Sequence, residues 1–156
     1  MSAGNNVLFC NCACFGSTGG QAFIQGEAGD VFDVRNSGAI AVVEGVGDFC
    51  CEYMTNGSVI NLGEYGKGFG NGMSGGLAYQ YDVDGAFAQR CSKDSVLALP
   101  LIEHDEGYEE ALKWHLEQHV RFTQSEKAQA ILDDWATSRT LLTMSLIQIR
   151  RCRRAV

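Results

Sequence analysis

Three cysteines, Cys10, Cys12 and Cys14, stand two apart near the start of the chain. On a strand their side chains share one face, with successive residues about 6.7 Å apart, too far for a tetrahedral zinc site without a bend. His115 and His119 have a metal-compatible spacing on a helix face, but residue 116 is Leu where a zincin motif has Glu. A packed pair explains them better. Asp82, Asp84 and Gly85 look like the start of a calcium loop whose later ligands are missing, so a plain turn is the simpler reading. Gly66-Lys67-Gly68-Phe69-Gly70 contains a Gly-x-Gly without the third glycine or the strand–helix context of a nucleotide site.

Other chemistry is equally poorly supported. Glu27, Glu44, Asp48, Glu52 and Asp82 could line an outer groove, as in a carbohydrate-cleaving enzyme, yet no pair repeats at one strand position. The first residues are Met and Ser, not a Cys or Thr able to work from a free α-amine. A net charge of −7 argues against nucleic acid, although Arg150, Arg151, Arg153 and Arg154 crowd the C-terminus. No run reaches the ~20 apolar residues of a membrane span, and no signal peptide is evident. The expected location is the cytoplasm, where the 7 cysteines would form no disulfide framework. Cys50, Cys51 and Cys91 read as small core residues.

These residues sit on a repeating frame. Gly19, Gly38, Gly57 and Gly76 are spaced every nineteen residues, and Ala28, Gly47, Gly66 and Gly85 follow at the same interval. Between them run two apolar columns, Ala22, Ala41, Ile60, Tyr79 and Ile24, Val43, Leu62, Tyr81. Helical repeats are longer and do not tolerate this glycine density, at roughly 1 kcal/mol per helix-interior Gly. Short strands joined at glycine corners fit the period, and stacking the rungs builds a continuous core. The expected fold is mainly β: a parallel β-helix or a close relative, of four to five rungs over residues 1–100. Gly19, Gly38, Gly47, Gly57, Gly66, Gly76 and Gly85 serve as its turn glycines. Strands are expected at Gln21 to Gln25, Val31 to Arg35, Ile40 to Val43 and Cys50 to Met54.

After Pro100 the period changes to about 3.6. Tyr108, Ala111, Leu112, His115, Leu116, His119 and Val120 trace one helix face, and Ser125 caps a second helix. The apolar stretch Leu141 to Ile149 follows. Residues 101–156 thus read as a helical extension packed on the β-helix. Alternation turns Phe23, Ile40, Val42 and Val59 outward, where helices or a partner must cover them. Taken as a docking surface, they lead us to expect a homo-oligomer.

Several segments resemble one family. Val34-Arg35-Asn36-Ser37-Gly38-Ala39, Val43-Glu44-Gly45-Val46-Gly47-Asp48, Cys51-Glu52-Tyr53-Met54-Thr55 and Gly72-Met73-Ser74-Gly75-Gly76 are similar to the C-terminal glycine-repeat (GXGXG) domain of the glutamate synthase large subunit. Phe49 stands where that family usually has His. The resemblance implies a right-handed parallel β-helix without catalytic, cofactor-binding or metal residues of its own. Glutamine hydrolysis would belong to an amidotransferase partner, and FMN and an iron–sulfur cluster to another. A structural subunit like that of formylmethanofuran dehydrogenase is a second assembly this likeness allows.

Overall fold

The computed structural model of the chain describes residues 7–9, 16–83, 85, 87–90, 96–101 and 106–147. Strands β2 (Gln21–Ile24), β4 (Ser37–Val43), β5 (Asn56–Asn61) and β6 (Leu77–Tyr81) pair in parallel, each with the next. A short parallel pair, β1 (Val7–Phe9) with β3 (Glu27–Ala28), stands apart from that sheet. The chain is, as expected, a parallel solenoid, of about three turns, followed by helices.

The nineteen-residue step is real but slips once. Gln21 lies beside Ile40 and Ile24 beside Val43. A bulge then interrupts β4 between Ser37 and Ile40, so Ala41 pairs with Val59, Val42 with Ile60 and Val43 with Asn61. The step returns to nineteen between β5 and β6, where Val59 meets Ala78 and Ile60 meets Tyr79. The true columns are therefore Ala22, Ala41, Val59, Ala78 facing in, and Phe23, Val42, Ile60, Tyr79 facing out. This corrects the expected columns from β5 onward. Because side chains alternate along a strand, one extra residue moves Val59 from the outer face to the core.

The second arm of each rung is not a regular strand, contrary to expectation at Val31 to Arg35 and Cys50 to Met54. Every second residue is left-handed: Val31 (φ 62°), Asp33 (54°) and Arg35 (58°), then Phe49 (60°), Cys51 (60°) and Tyr53 (54°), then Gly68 (71°), Gly70 (73°) and Gly72 (67°). The rungs still bond. Phe49 N donates to Lys67 O (2.8 Å) and Tyr53 N to Asn71 O (2.9 Å), while Cys51 N donates back to Phe32 O (3.0 Å).

The turn glycines divide by cause. Gly57 (φ +93°), Gly76 (+83°) and Gly85 (+70°) adopt left-handed angles. Gly38 does not; a Cβ there would meet Thr18 O at 2.5 Å, and one on Gly47 or Gly66 would run into the carboxylate of Asp30 or Asp48. Gly19 needs neither reason, since nothing lies within 4 Å of its Cβ position.

Two apolar layers result. The inner one joins Ile24, Ala41, Val43, Val59 and Ala78 to Phe32, Cys50, Cys51, Met54 and Phe69 across the rung. The outer one sets Val42, Ile60 and Tyr79 against Leu112, Leu116, Ala128 and Ile131. Those four belong to α2 (Glu106–Thr123) and α3 (Glu126–Asp133), the latter capped by Ser125, whose Oγ accepts from Ala128 N. The Ser125 hydroxyl also donates to Glu44 Oε1 at 2.5 Å, tying the helical layer to a solenoid corner.

The last expected helical stretch is different. After α4 (Trp135–Leu141), Leu142–Ile147 forms β8, antiparallel to β6, and β7 (Val96–Pro100) pairs antiparallel to β8 on its other side. The open edge of the final rung is thereby covered by the chain itself, as a parallel edge requires if it is not to recruit another chain.

Candidate functional site

Of the four residues expected to face outward, two are covered by the chain itself. Val59 is fully buried in the inner layer and Val42 is fully buried under the helices. Phe23 stacks on Phe122 of α2 with ring centres 5.4 Å apart and lies 6.1 Å from His119. Ile40 is half-buried at the rim of a cleft. Of the two covers expected for this face, helices or a partner, the chain's own helices lie over Phe23 and Val42.

His115 and His119 behave as packed residues. His119 is fully buried with neither ring nitrogen hydrogen-bonded, and burial pulls its pKa down to about 4. His115 is half-buried, and burial lowers its pKa too. Among the described residues no three His, Cys, Asp or Glu side chains gather to hold a metal. Asp82 shapes a turn: its Oδ2 accepts from Phe87 N at 3.1 Å, at the start of the one-turn helix α1 (Phe87–Arg90). Cys50 and Cys51 are core thiols, with sulfurs 3.3 Å apart. Cys10, Cys12, Cys14, Asp84, Cys91, His104 and the arginines from 150 onward lie outside the described residues.

The corners carry polar chemistry that composition did not reveal. Asn36 is buried and closes one corner: its Oδ1 accepts from Gly38 N (2.9 Å) and Ala39 N (2.7 Å), and its Nδ2 donates to Asp33 Oδ2 (2.6 Å). Asp33 is fully buried, its Oδ1 has no partner, and desolvation pushes its pKa up to about 6 against the help of Asn36. At another corner, buried Asn61 donates to Gln80 Oε1 (2.7 Å), and Gln80 Nε2 reaches Gly63 O (2.7 Å). Along the rim, Asp30 accepts from Asp48 N (2.8 Å) and Asp48 from Lys67 N (2.9 Å). These side chains satisfy backbone groups that the turns leave without strand partners. The sequence signal was Asn or Asp beside some of the glycine corners, Asn36 before Gly38, Asp48 after Gly47 and Asn61 before Gly63.

Other surface features stand beside these. On the second arm, Phe49 and Tyr53 are exposed and lie over Gly68 and Gly72, where a Cβ would come within 2.6 Å of either ring. On the other side, a hollow of about 380 Å³ separates the start of α2 from the sheet, lined by Ser58, Leu77, Tyr79, Tyr108, Ala111 and His115 among others. A second of about 420 Å³ adjoins it and adds Ile40, Asn56 and the glycines Gly38, Gly57 and Gly76.

Comparison with known proteins gives a consistent result. A family model described as "GXGXG motif" matches residues 1–145. The chain is 47% identical over 135 residues to the glutamate synthase [NADPH] large chain of Bacillus subtilis (strain 168), covering 86% of this chain and 9% of that one. It is 44% identical over 135 residues to the ferredoxin-dependent glutamate synthase of Antithamnion sp., covering 86% and 9%. The chloroplastic ferredoxin-dependent enzyme of Spinacia oleracea is 46% identical over 125 residues, covering 80% and 8%. The chain thus spans less than a tenth of the length of these curated relatives. No helix among the described residues is long and apolar enough to cross a membrane.

Proposed function

Because the chain belongs to the GXGXG motif family and is homologous to that domain of the glutamate synthase large chain, we propose that it is a non-catalytic scaffold for glutamate synthesis. Its partners are an amidotransferase unit and a unit carrying FMN and an iron–sulfur cluster, supplied by other domains or subunits in the cytoplasm. In that assembly the ammonia-releasing and reducing steps occur elsewhere, and the solenoid fixes the distance between them.

The observation that carries this reading is the coverage: near-half identity sustained over most of this chain, yet confined to 9% of the relative. A rigid solenoid whose core, corners and final edge are filled by its own residues suits a spacer. Several of its buried polar side chains, Asn36, Asn61 and Gln80, bind backbone groups at the corners.

Reconstitution tests it. The chain should be colourless and inactive alone with glutamine and 2-oxoglutarate. Mixed with separately produced amidotransferase and flavin units, it should co-elute with them and be required for glutamine-dependent glutamate formation. Stoichiometric flavin in the isolated chain, turnover above a buffer control, or full activity of the partners without it would overturn the scaffold role.

A further inference from the structure

The outer surface of the second arm carries one arrangement twice. In the first copy Phe49 lies over Gly68 of the next rung, and its N–H donates to Lys67 O at 2.8 Å. In the second copy Tyr53 lies over Gly72, and its N–H donates to Asn71 O at 2.9 Å. Each ring follows an acid whose carboxylate meets the residue before that glycine. Asp48 Oδ2 stands 4.0 Å from Lys67 Nζ, and Glu52 Oε1 accepts from Asn71 Nδ2 at 3.0 Å. A Cβ on either glycine would come within 2.6 Å of the ring, so the glycines are what let both rings lie against the rung.

The copies differ in one respect. In the first, the ammonium of Lys67 also sits 5.9 Å from the centre of the Phe49 ring, between a π face and a carboxylate. Both attract a cation. In the second, the position of that lysine is taken by Asn71, whose neutral amide binds one oxygen of the half-buried Glu52 carboxylate. Tyr53 is 53% exposed, against 37% for Phe49. The second copy therefore has the ring and the carboxylate of the first, a more open ring surface, and an amide where the first supplies its own cation.

A ring and a single carboxylate at the surface hold a cation only weakly. That strength suits one contact of a protein interface, whereas a free small amine would have nothing else to hold it. The side chain that the first copy already accepts is a lysine, whose apolar stem can lie along a ring while its ammonium meets the acid. We propose that Glu52 and Tyr53 form a receptor for a lysine side chain of a protein partner, the incoming ammonium standing to Tyr53 as Lys67 stands to Phe49. The receptor goes beyond the scaffold role and does not depend on it, since ring, carboxylate and glycine all belong to this chain.

The test is an NMR titration of the isolated full chain, at low salt, with tetralysine and with the same peptide acetylated at every ε-amine. Tetralysine should shift the Tyr53 and Gly72 signals saturably and give NOEs from its ε-methylene protons to the Tyr53 ring. The acetylated peptide should bind at least about five-fold more weakly, because losing the charge removes both attractions. Asn71→Lys, which supplies the second copy with a cation from within, should abolish those NOEs at an unchanged melting temperature. Tyr53→Leu should abolish the Tyr53 contact, and Glu52→Gln should weaken tetralysine with the ring still in place if the leucine perturbs folding. Lys67→Ala should open the first copy and add NOEs to the Phe49 ring. Absence of saturable shifts at Tyr53, equal affinity for the two peptides, or an Asn71→Lys titration like that of the unaltered chain would each overturn the proposal. The reconstitution with catalytic partners reads the scaffold role separately, and its failure would leave these outcomes unchanged.

Discussion

Each rung has two arms that carry the same repeat and solve it differently. The first arm, β2, β4, β5 and β6, is ordinary parallel strand with small or branched residues facing in: Ala22, Ala41, Val59 and Ala78. The second alternates left-handed residues with large inward ones such as Phe32 and Phe69. A narrow core needs this asymmetry. Alanines on one wall leave room for phenylalanines on the other, and a backbone that turns at every second residue can bring them in over a short span. In the third rung Gly68, Gly70 and Gly72 take the left-handed positions without a steric penalty. In the first two rungs Val31, Asp33, Arg35, Phe49, Cys51 and Tyr53 take them instead, at a cost of order 1 kcal/mol or more apiece.

If the second arm supplies the bulk of the core, truncating it should hurt most. Phe69 is buried and meets Tyr65 and Phe87 edge-on, with ring centres 6.4 and 5.0 Å away. Phe69→Ala should cost about 3–5 kcal/mol. Val59→Ala on the facing wall should cost about 2 kcal/mol, as the loss of two methyl groups plus a small cavity. Urea midpoints would decide it. Equal losses at the two sites would mean that the arms share the core evenly and that the asymmetry is only one of shape.

The two layers should also differ in their response to pH. In the outer layer, His119 has a folded pKa pulled down to about 4 from its ordinary 6.5, so folding disfavours its proton. Stability is intact above the unfolded value and is lost as pH falls from 6.5 toward 4, by up to about 3 kcal/mol for a shift of this size. Asp33, in the inner corner, is the reverse, with a folded pKa near 6 against an ordinary 3.8. Its favourable contribution is complete below the unfolded value and is lost as pH rises through 6, again by up to about 3 kcal/mol. His119→Leu should therefore flatten the acid limb of a melting-temperature profile. Asp33→Asn, which can still accept from Asn36, should raise stability at pH 7 and remove the decline between pH 4 and 6. A profile unchanged by both substitutions would show that neither burial persists in solution.

The arms were not equally legible. Alternating apolar residues and regular glycines announce the first arm, and the nineteen-residue period is by itself enough to call for a parallel solenoid. The slip between β4 and β5 was hidden, because a bulge at Gly38 and Ala39 uses the same residue types as the turn beside it. That one residue sent Val59 to the wrong face. The second arm was hidden more deeply, since Val31, Phe49 and Tyr53 are strand formers by propensity and nothing local marks them as left-handed. The closing strand is another matter. Leu142-Thr143-Met144-Ser145-Leu146 alternates with a period of two, and reading it as helix let the preceding helices decide a segment whose own pattern pointed to a strand. The hollow beside α2 was not legible at all, because it depends on how far α2 stands from a face whose register was misplaced.

The smallest expected effect is the most direct probe of the second arm. Val31 is half-buried, β-branched and left-handed at φ 62°, while its N–H still donates to Asp48 O at 2.8 Å. A branched side chain in that region is strongly disfavoured, and glycine removes the penalty without touching the inter-rung hydrogen bond. Against this stand the entropy that glycine gives to the unfolded chain, about 1 kcal/mol, and a little lost packing. Val31→Gly should therefore be neutral or stabilising by about 0.5–1 kcal/mol, where a core or strand valine would lose stability on the same change. Gly72→Ala should go the other way, because it is left-handed at φ +67° and its new methyl would meet the Tyr53 ring at 2.6 Å. Part of that loss should return when Tyr53 is also changed to Ala, since the clash is with a ring and the residual cost is the backbone's alone. If Val31→Gly destabilises by more than about 1 kcal/mol, beyond the entropy cost of glycine itself, the alternating left-handed arm is wrong at its first residue, and regular strand geometry would have to take its place.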